Sequence, residues 1–127
     1  MFAQLKQDLR SDILAQAAFT NTIVAYGSAG STARPQIRIN QAASNQPTFL
    51  DSQGLQTTSL TVNIFADSVQ DIDSLTDAFY NRYHGFQGEL NSNTNVHGIT
   101  VTSVINAVDQ QDPDIYQAIL PIDIITT

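Results

Sequence analysis

The sequence predicts a single α+β domain, in which a mainly antiparallel sheet carries two helices packed on one face. Two segments repeat apolar residues at spacings of three and four, the period of an amphipathic helix. Several other segments alternate apolar and polar residues, which is typical of strands that bury one face. The two longest strand segments follow the second helix and are joined by one turn, which favours antiparallel pairing. The 127 residues contain no internal repeat and no domain boundary.

The first helix is predicted over residues 2–18. Phe2, Leu5, Leu9 and Ile13 recur at helical spacing and form the apolar stripe that should face the core. The charged residues of the segment are predicted to lie mostly off this stripe: Lys6, Asp8, Arg10 and Asp12.

Two short strands are predicted next. The segment TIVAYG (22–27) indicates a strand closed by glycine, and PQIRIN (35–40) indicates a second strand with Ile37 and Ile39 on one face. The segment between them, GSAGSTA (27–33), is interpreted as a loop because small and glycine residues dominate it.

Residues 41–56 are predicted to form a long polar connection whose apolar residues include Phe49 and Leu50. Loops of this length are uncommon in compact domains and are usually functional or mobile. The segment TTSLTVNIFA (57–66) then alternates cleanly and predicts a third strand with one buried face. Its inward residues are expected to be Leu60, Val62, Ile64 and Ala66.

The second helix is predicted to begin after Ser68, an N-cap residue with Asp71 three positions on. Gly85 is the expected stop, because glycine readily adopts the conformation that follows a helix end. The predicted buried stripe of this helix is Val69, Ile72, Leu75, Phe79 and Tyr83.

Two long strands are predicted after this helix, over residues 96–108 and 114–126. The segment DQQDPD joins them and has the composition of a hairpin turn. Pro121 cannot donate a hydrogen bond to a neighbouring strand, so the last strand is expected to lie at an edge or to carry a bulge there.

The charge balance argues against nucleic-acid binding as the main task. Twelve acidic and five basic residues give a formal net charge of −7, whereas phosphate binding draws on clustered Lys and Arg. Only 13% of residues are charged, which hints that neighbouring subunits cover part of the surface. The chain has no cysteine, no apolar run long enough to span a membrane and no predicted signal peptide. We therefore expect a soluble protein, made in the cytoplasm.

The acidic start of the second helix is interpreted mainly as a solvated face. Asp67, Asp71, Asp73 and Asp77 suit the positive end of a helix, and the last two point away from the apolar stripe. The pattern is also compatible with a face directed at DNA, or with a carboxylate pair that binds metal or moves protons. His84 lies in the last turn, where its ring can bond a free carbonyl, so capping is favoured over catalysis.

No further motif supports a reaction. DQQDPD lacks the glycine and distal glutamate of a calcium loop, and GSAGS lacks the lysine of a phosphate-binding loop. His97 stands at the start of a strand without a His-Glu-x-x-His context, and no Gly-x-Ser-x-Gly elbow is present. Arg34 and Arg38 flank the second strand and could pair with aspartates of a neighbouring copy or with acids of their own chain. The sequence predicts a binding or assembly module without catalytic residues, cofactor or metal.

The order of segments resembles the tail-completion or tail-terminator proteins of tailed bacteriophages, including the lambda tail terminator and its relatives in gene transfer agents. The resemblance covers almost the whole chain. Its most telling parts are the strand LTVNIFADS that leads into the second helix, the helix exit L-x-x-x-F-Y-x-x-Y-x-G-F-x-G-x-L, and the final strand after a D-x-x-D-P turn.

The resemblance implies a small subunit that closes into a hexameric ring on the last layer of the tail tube. Such rings end tube polymerisation and present a surface to the neck of the capsid, and DNA passes through the channel. The implied partners are further copies of the chain, the tube protein, a sheath if the tail contracts, and a neck protein. The implied location is the head–tail junction of the virion, after assembly in the host cytoplasm. The family has no catalytic or cofactor residues to carry over.

Under this resemblance, Phe49 and Leu50 are candidates for contact with tube or neck, and Arg34 and Arg38 for contacts between subunits. Asp73 and Asp77 are candidates for an acidic face toward the channel. The main rival hypothesis is a head-side connector or stopper ring. Two further hypotheses are a small-ligand or metal-binding domain that uses the aspartates of 109–114, and a minor enzyme.

Overall fold

The computed structural model describes residues 2–26, 35–41, 48–49, 56–108 and 115–126. Two α-helices are present, α1 (Phe2–Ala15) and α2 (Val69–Tyr83), and a short 3₁₀ helix at Ala17–Phe19 follows α1. The strands are β1 (Ile23–Tyr26), β2 (Gln36–Gln41), β3 (Thr48–Phe49), β4 (Gln56–Ala66), β5 (Gly88–Leu90), β6 (Thr94–Val101), β7 (Ile105–Val108) and β8 (Tyr116–Thr126). The predicted α+β class is confirmed.

The strands form one sheet in the order β1-β2-β4-β8-β6-β5, with β3 paired to β4 and β7 paired to β8. The β1–β2 pair is parallel and the remaining pairs are antiparallel, so the predicted antiparallel character is confirmed. The two longest strands, β4 and β8, pair along their whole length from Gln56↔Thr126 to Ala66↔Tyr116. They form the centre of the sheet, and β2, β3, β6 and β7 each pair with one of them.

The core lies between one face of this sheet and both helices. Leu60, Val62 and Ile64 of β4 are fully buried on that face, and they pair with buried partners on β8. The helices contribute Leu9, Ile13, Phe79 and Tyr83, each 0% exposed. Each such side chain contributes roughly 1.5–3 kcal/mol relative to exposure. We call the opposite face of the sheet the open face; on β4 and β8 it consists of Thr57, Ser59, Thr61, Asn63, Phe65, Gln117, Ile119, Pro121, Asp123 and Ile125.

The helix stripes are largely as predicted, with three exceptions. Val69 is 51% exposed, because it lies in the first turn of α2 and about 60° round the helix from Ile72. Asp8 and Asp12 were expected mostly off the α1 stripe, but they are 1% and 8% exposed. The partners that permit their burial are described below.

Three strand predictions were wrong in detail. The connection at 41–56 contains β3, whose backbone pairs with Gln56 and Thr57 of β4. The segment at 96–108 forms two strands rather than one, interrupted at 102–104. The short strand β5 was not predicted; glycine and glutamate within its three residues give little strand signal.

Pro121 does not lie at an edge, because β8 has β4 on one side and β6 and β7 on the other. Its carbonyl accepts hydrogen bonds from the Thr102 amide at 2.9 Å and the Thr102 hydroxyl at 3.1 Å. The nitrogen and carbonyl of one antiparallel strand residue point to the same neighbour. The missing N–H therefore faces the interruption between β6 and β7, where no ladder partner is required.

The ends of α2 are set by local hydrogen bonds. At its start the Ser68 hydroxyl accepts from the Asp71 amide at 3.1 Å, as predicted from the cap motif. At its end Gly85 has a φ of +80°, a conformation that favours glycine.

No helix among the described residues reaches the length and apolarity that crossing a bilayer requires.

Replacing Ser68 with alanine is expected to lower the free energy of unfolding by about 0.5–2 kcal/mol, because the Asp71 amide loses its acceptor. Ser74→Ala, the same chemical change at an exposed position inside α2, is the matched control and should be neutral or slightly stabilising. Urea unfolding followed by circular dichroism measures both values. Equal effects of the two substitutions would contradict the capping role.

Candidate functional site

Asp12 is the centre of a buried polar cluster between the two helices. The Arg82 guanidinium donates to it through Nη2, at 3.0 Å from Oδ1, and the Tyr83 hydroxyl donates to Oδ2 at 2.5 Å. Asp12 lies on α1, whereas Arg82 and Tyr83 form the last turn of α2. The carboxylate thus links α1 to the last turn of α2.

The electrostatics of this cluster favour the protonated forms of Tyr83 and Arg82. Burial raises the pKa of Tyr83 well above its ordinary value, and the hydrogen bond to Asp12 adds to the shift. The hydrogen bond to Asp12 also raises the pKa of Arg82. A phenol with a raised pKa donates a hydrogen bond at neutral pH but does not accept a proton from a substrate. The arrangement therefore suits a structural tie rather than acid–base catalysis.

Asp8, a buried carboxylate one helical turn before Asp12, is the centre of a second polar cluster. Its carboxylate accepts from the side-chain amides of Gln4 at 2.9 Å and Asn93 at 3.1 Å, and from the Thr94 hydroxyl. Asn93 belongs to the turn between β5 and β6, in which Asn91 has a φ of 52°, and Thr94 is the first residue of β6. The turn is thus held in an uncommon conformation by a carboxylate of α1.

A signal for these two buried carboxylates is present in the sequence, although the prediction placed them mostly off the stripe. Asp8 and Asp12 are four residues apart, so they lie on one side of α1, and each directly precedes a stripe residue. In a chain with few charges, two carboxylates at the margin of an apolar stripe are plausible buried groups if donors reach them. The donors could not be identified, because Arg82 and Thr94 are 70 and 86 residues away.

His84 caps the end of α2, but not by the bond that was predicted. Its ring stacks on Tyr80 at 4.6 Å, and Nδ1 accepts from the Val101 amide at 3.1 Å. The next residue, Gly85, donates its amide to the Ile99 carbonyl at 2.7 Å. The predicted bond to a free helix carbonyl was therefore wrong, since the ring accepts a hydrogen bond from β6. Phe86 is partly buried and packs against the core.

The predicted acidic face of α2 is exposed. Asp73 and Asp77 both lie on the side of the helix that is turned away from the sheet, and Asp71 is also exposed. Among the described residues, no group of three or more potential ligands is placed to hold a metal ion. Asp73 and Asp77 remain a predicted channel-facing or solvated face.

Arg38 lies on the open face of the sheet, within contacts of its own chain. Its guanidinium carbon is 4.6 Å from the centre of the Phe65 ring, and its Nε donates to the Gln36 side-chain oxygen at 2.9 Å. This contact stabilises the guanidinium charge, and no carboxylate of the described residues forms a salt bridge with it. A contact between Arg38 and a neighbouring subunit stays a prediction.

The remaining candidate contact residues are only partly within the described structure. Phe49 lies in β3, where its backbone pairs with Gln56. Leu50 and Arg34 lie outside the described residues, as do the GSAGS and DQQDPD segments. The structure therefore places Phe49 beside the start of β4 and leaves its proposed contact as a prediction.

The open face carries little charge across its three central strands. On β2, β4 and β8 its charged residues are Arg38 and Asp123, and Asp123 accepts from the Ser59 hydroxyl at 2.5 Å. The Gln117 amide donates to Asn63 at 3.4 Å. Both charges have partners within the chain, so this face presents a mixture of apolar and uncharged polar groups. Such a surface suits contact with protein better than contact with phosphate.

Replacing Asp12 with alanine is expected to lower the free energy of unfolding by about 2–4 kcal/mol. Most of this loss comes from the Tyr83 hydroxyl, which becomes buried without an acceptor, and less from Arg82, whose side chain is 38% exposed. Asp73→Ala, the matched control at an exposed carboxylate, should change stability by less than about 0.5 kcal/mol. A double-mutant cycle with Tyr83→Phe should give a coupling of about 1 kcal/mol or more, and simple additivity would contradict the contact.

Stability should fall at alkaline pH, and Tyr83 should account for part of the fall. Above the ordinary pKa of 10.0 the unfolded phenol loses its proton while the buried one keeps it, so the unfolded state binds fewer protons. The contribution of Tyr83 is thus complete below that pH and is lost as pH rises, by up to about 1.4 kcal/mol per pH unit.

Urea unfolding between about pH 8.5 and 11 measures how steeply the free energy of unfolding falls with pH. This slope should be smaller for Tyr83→Phe. Tyr26, whose pKa burial also raises, adds a slope of the same sign, so the variant should reduce the slope without abolishing it. Identical slopes in the two proteins would refute the assignment.

No protein-family model matches the sequence, and no curated protein gives a significant match. Solved structures do share the fold. One is a chain of the virion of a native gene transfer agent (GTA) particle, with a TM-score of 0.72, 13% sequence identity, and coverage of 96% of this chain and 93% of that chain. At this identity the likeness is one of fold, and it extends over nearly the whole of both chains. The sheet and two helices described above are therefore also the architecture of a chain in a gene transfer agent virion.

Proposed function

We propose that this protein is a structural component of a tailed, phage-like particle and transforms no substrate. In this proposal its copies close into a ring, a hexamer by analogy with tail terminators, that caps the tail tube and ends its polymerisation. The ring joins the tail to the neck at the head–tail junction, and DNA passes through its channel. The chain would assemble there from the host cytoplasm.

The single observation that carries the proposal is the fold likeness to a chain of the gene transfer agent virion. The match spans 96% of this chain, so it concerns the whole subunit and not a common supersecondary motif. The order of segments in the sequence independently resembles tail terminators. These two observations support a role as a virion component more strongly than they support the specific role of a tail terminator.

The chemistry of the described residues agrees with a role in assembly. The buried carboxylates Asp8 and Asp12 have donors from their own chain, so they serve the fold. The net charge is −7, and Asp73 and Asp77 are exposed. An acidic or uncharged channel wall would repel DNA or bind it weakly, which suits passage without specific binding.

The terminator role predicts that the purified protein ends the growth of tail tubes. Added to polymerising tube protein, it should bind one end of each tube and shorten the mean tube length in proportion to its concentration. Electron microscopy of negatively stained tubes measures both effects. Tubes of unchanged length with bare ends would contradict the role, and binding to isolated capsid connectors instead would indicate the head-side connector.

The predicted tube or neck contact is tested by Phe49→Ser combined with Leu50→Ser. This variant should fold normally and bind tube ends more weakly, by about tenfold or more if the two residues contribute at least ~1.4 kcal/mol. Val69→Ser is the control, since Val69 is an exposed apolar residue on α2. If the double variant unfolds, the two residues belong to the core and the contact assignment fails.

A further inference from the structure

The most exposed apolar side chains are concentrated at two opposite edges of the sheet. Seven large apolar side chains of the described residues are more than a third exposed, and four of them lie in or next to the two edge strands; the other three are on the helices. The β1 patch consists of Ile23 on the open face and Tyr26 on the face toward the helices, exposed by 38% and 41%. The β7 patch consists of Val104 and Ile105, exposed by 41% and 48%.

The two patches terminate one continuous row of strands. Ala25 of β1 pairs with Arg38 of β2, which pairs with Asn63 of β4. Asn63 pairs with Ile119 of β8, which pairs with Ile105 of β7. Paired residues share a face, so Ile105 at one end and Ala25 and Ile23 at the other all belong to the open face.

The two edges are unequally protected. At β1 the Arg10 guanidinium donates to the Val24 carbonyl at 2.8 Å, and this carbonyl points away from β2 because Ile23 donates toward β2. Residues 104–108 contain no charged residue or proline, and β7 pairs with β8 on one side. Charged residues and proline are the usual protection of an edge, and an apolar edge without them is a template for another strand.

We propose that the β7 edge of one copy binds the β1 edge of the next copy, head to tail. This inference rests on the proposed ring and names the surfaces that would close it. The strand directions agree with it: β1 is parallel to β2, and the three antiparallel pairs from β2 to β7 make β7 antiparallel to β1. Copies that keep one orientation around a ring therefore bring β7 antiparallel to β1, and the ladder would share the Val24 carbonyl with Arg10.

The side chains at this contact are complementary. In the unshifted register Ile105 lies opposite Ala25 of the next copy and close to its Ile23 on the same face. A head-to-tail contact engages both edges of every copy at once. A two-fold contact between two β7 edges would instead leave the β1 patch of each copy exposed.

The size of the contact determines how assembly proceeds. A ladder along four residues is about 13 Å long. Such a contact buries much less than the roughly 1,200 Å² of a stable pairwise interface. An isolated dimer is therefore weak, and a ring, in which every copy gains two contacts, is the stable product. Partly assembled rings should be scarce, so that monomers and closed rings are the main species.

Charge substitution at each edge tests the proposal. Ile105→Lys and Ile23→Lys should each raise the concentration of half-assembly about tenfold or more relative to the unmodified chain. Val69→Lys should assemble normally, because Val69 is 51% exposed but lies on α2 and not on an edge strand. Sedimentation velocity over a concentration series, with and without tube ends, gives the assembly state, and circular dichroism checks folding.

Disulfide trapping identifies the geometry and does not depend on the lysine variants. The chain has no cysteine, so Ala25→Cys and Ile105→Cys introduce the only thiols. Under mild oxidation neither variant alone should cross-link, an equimolar mixture should give heterodimers, and the double variant should give a ladder that ends at the ring. Cross-linking of Ile105→Cys with itself would overturn head-to-tail pairing.

The outcomes separate this inference from the proposed function. If the unmodified chain assembles and the two edge variants assemble equally well, the edge assignment is wrong and the ring proposal stands. If the unmodified chain stays monomeric at all concentrations and on tube ends, both fail.

Discussion

A carboxylate removed from water must be paired, and the pairing of Asp12 fixes the arrangement of the whole helix layer. Its donors are 70 and 71 residues away, on the last turn of α2, so α1 and α2 cannot move independently over the sheet. Asp8 extends the same constraint to the β5–β6 turn. The two carboxylates thus determine where the N-terminal helix lies relative to both later elements, whereas apolar packing alone would tolerate other positions of α1.

The sequence predicted those features that depend on neighbouring residues. Alternation identified the buried face of β4, and Ser68 identified the start of α2, because a strand period and a cap are each contained within a few positions. The burial of Asp8 and Asp12 was missed, because their donors are distant in the chain. The interruption between β6 and β7 was missed for a related reason. Pro121 has no amide to donate to the strand beside it, and the residues opposite it lie about twenty positions earlier in the sequence. For the candidate contacts, the sequence placed Arg38 on a strand correctly but could not identify the Phe65 ring as its neighbour.

The distribution of polar groups links this fold to a role in assembly. The charges of Asp12, Asp8, Arg38 and Asp123 have partners within the chain, so the interior clusters and the centre of the open face are internally satisfied. Among the described residues, the surfaces available to other molecules include the exposed acidic side of α2 and the apolar strand edges. A protein that works by contact with other subunits needs such surfaces, and it needs a rigid frame to hold them at fixed distances.

The proline in β8 has a consequence for the rim of the sheet. Pro121 offers no amide at the gap between β6 and β7, and among the described residues β7 is attached through four residue pairs, from Ile105↔Ile119 to Val108↔Tyr116. The central ladder between β4 and β8 contains eleven. β7 can therefore detach from the sheet at a lower free-energy cost than β4 and β8 can separate, and the amides of β7 should exchange with solvent sooner. A neighbour bound along this strand would raise that cost, so the least stable part of the isolated subunit would become ordered last, during assembly.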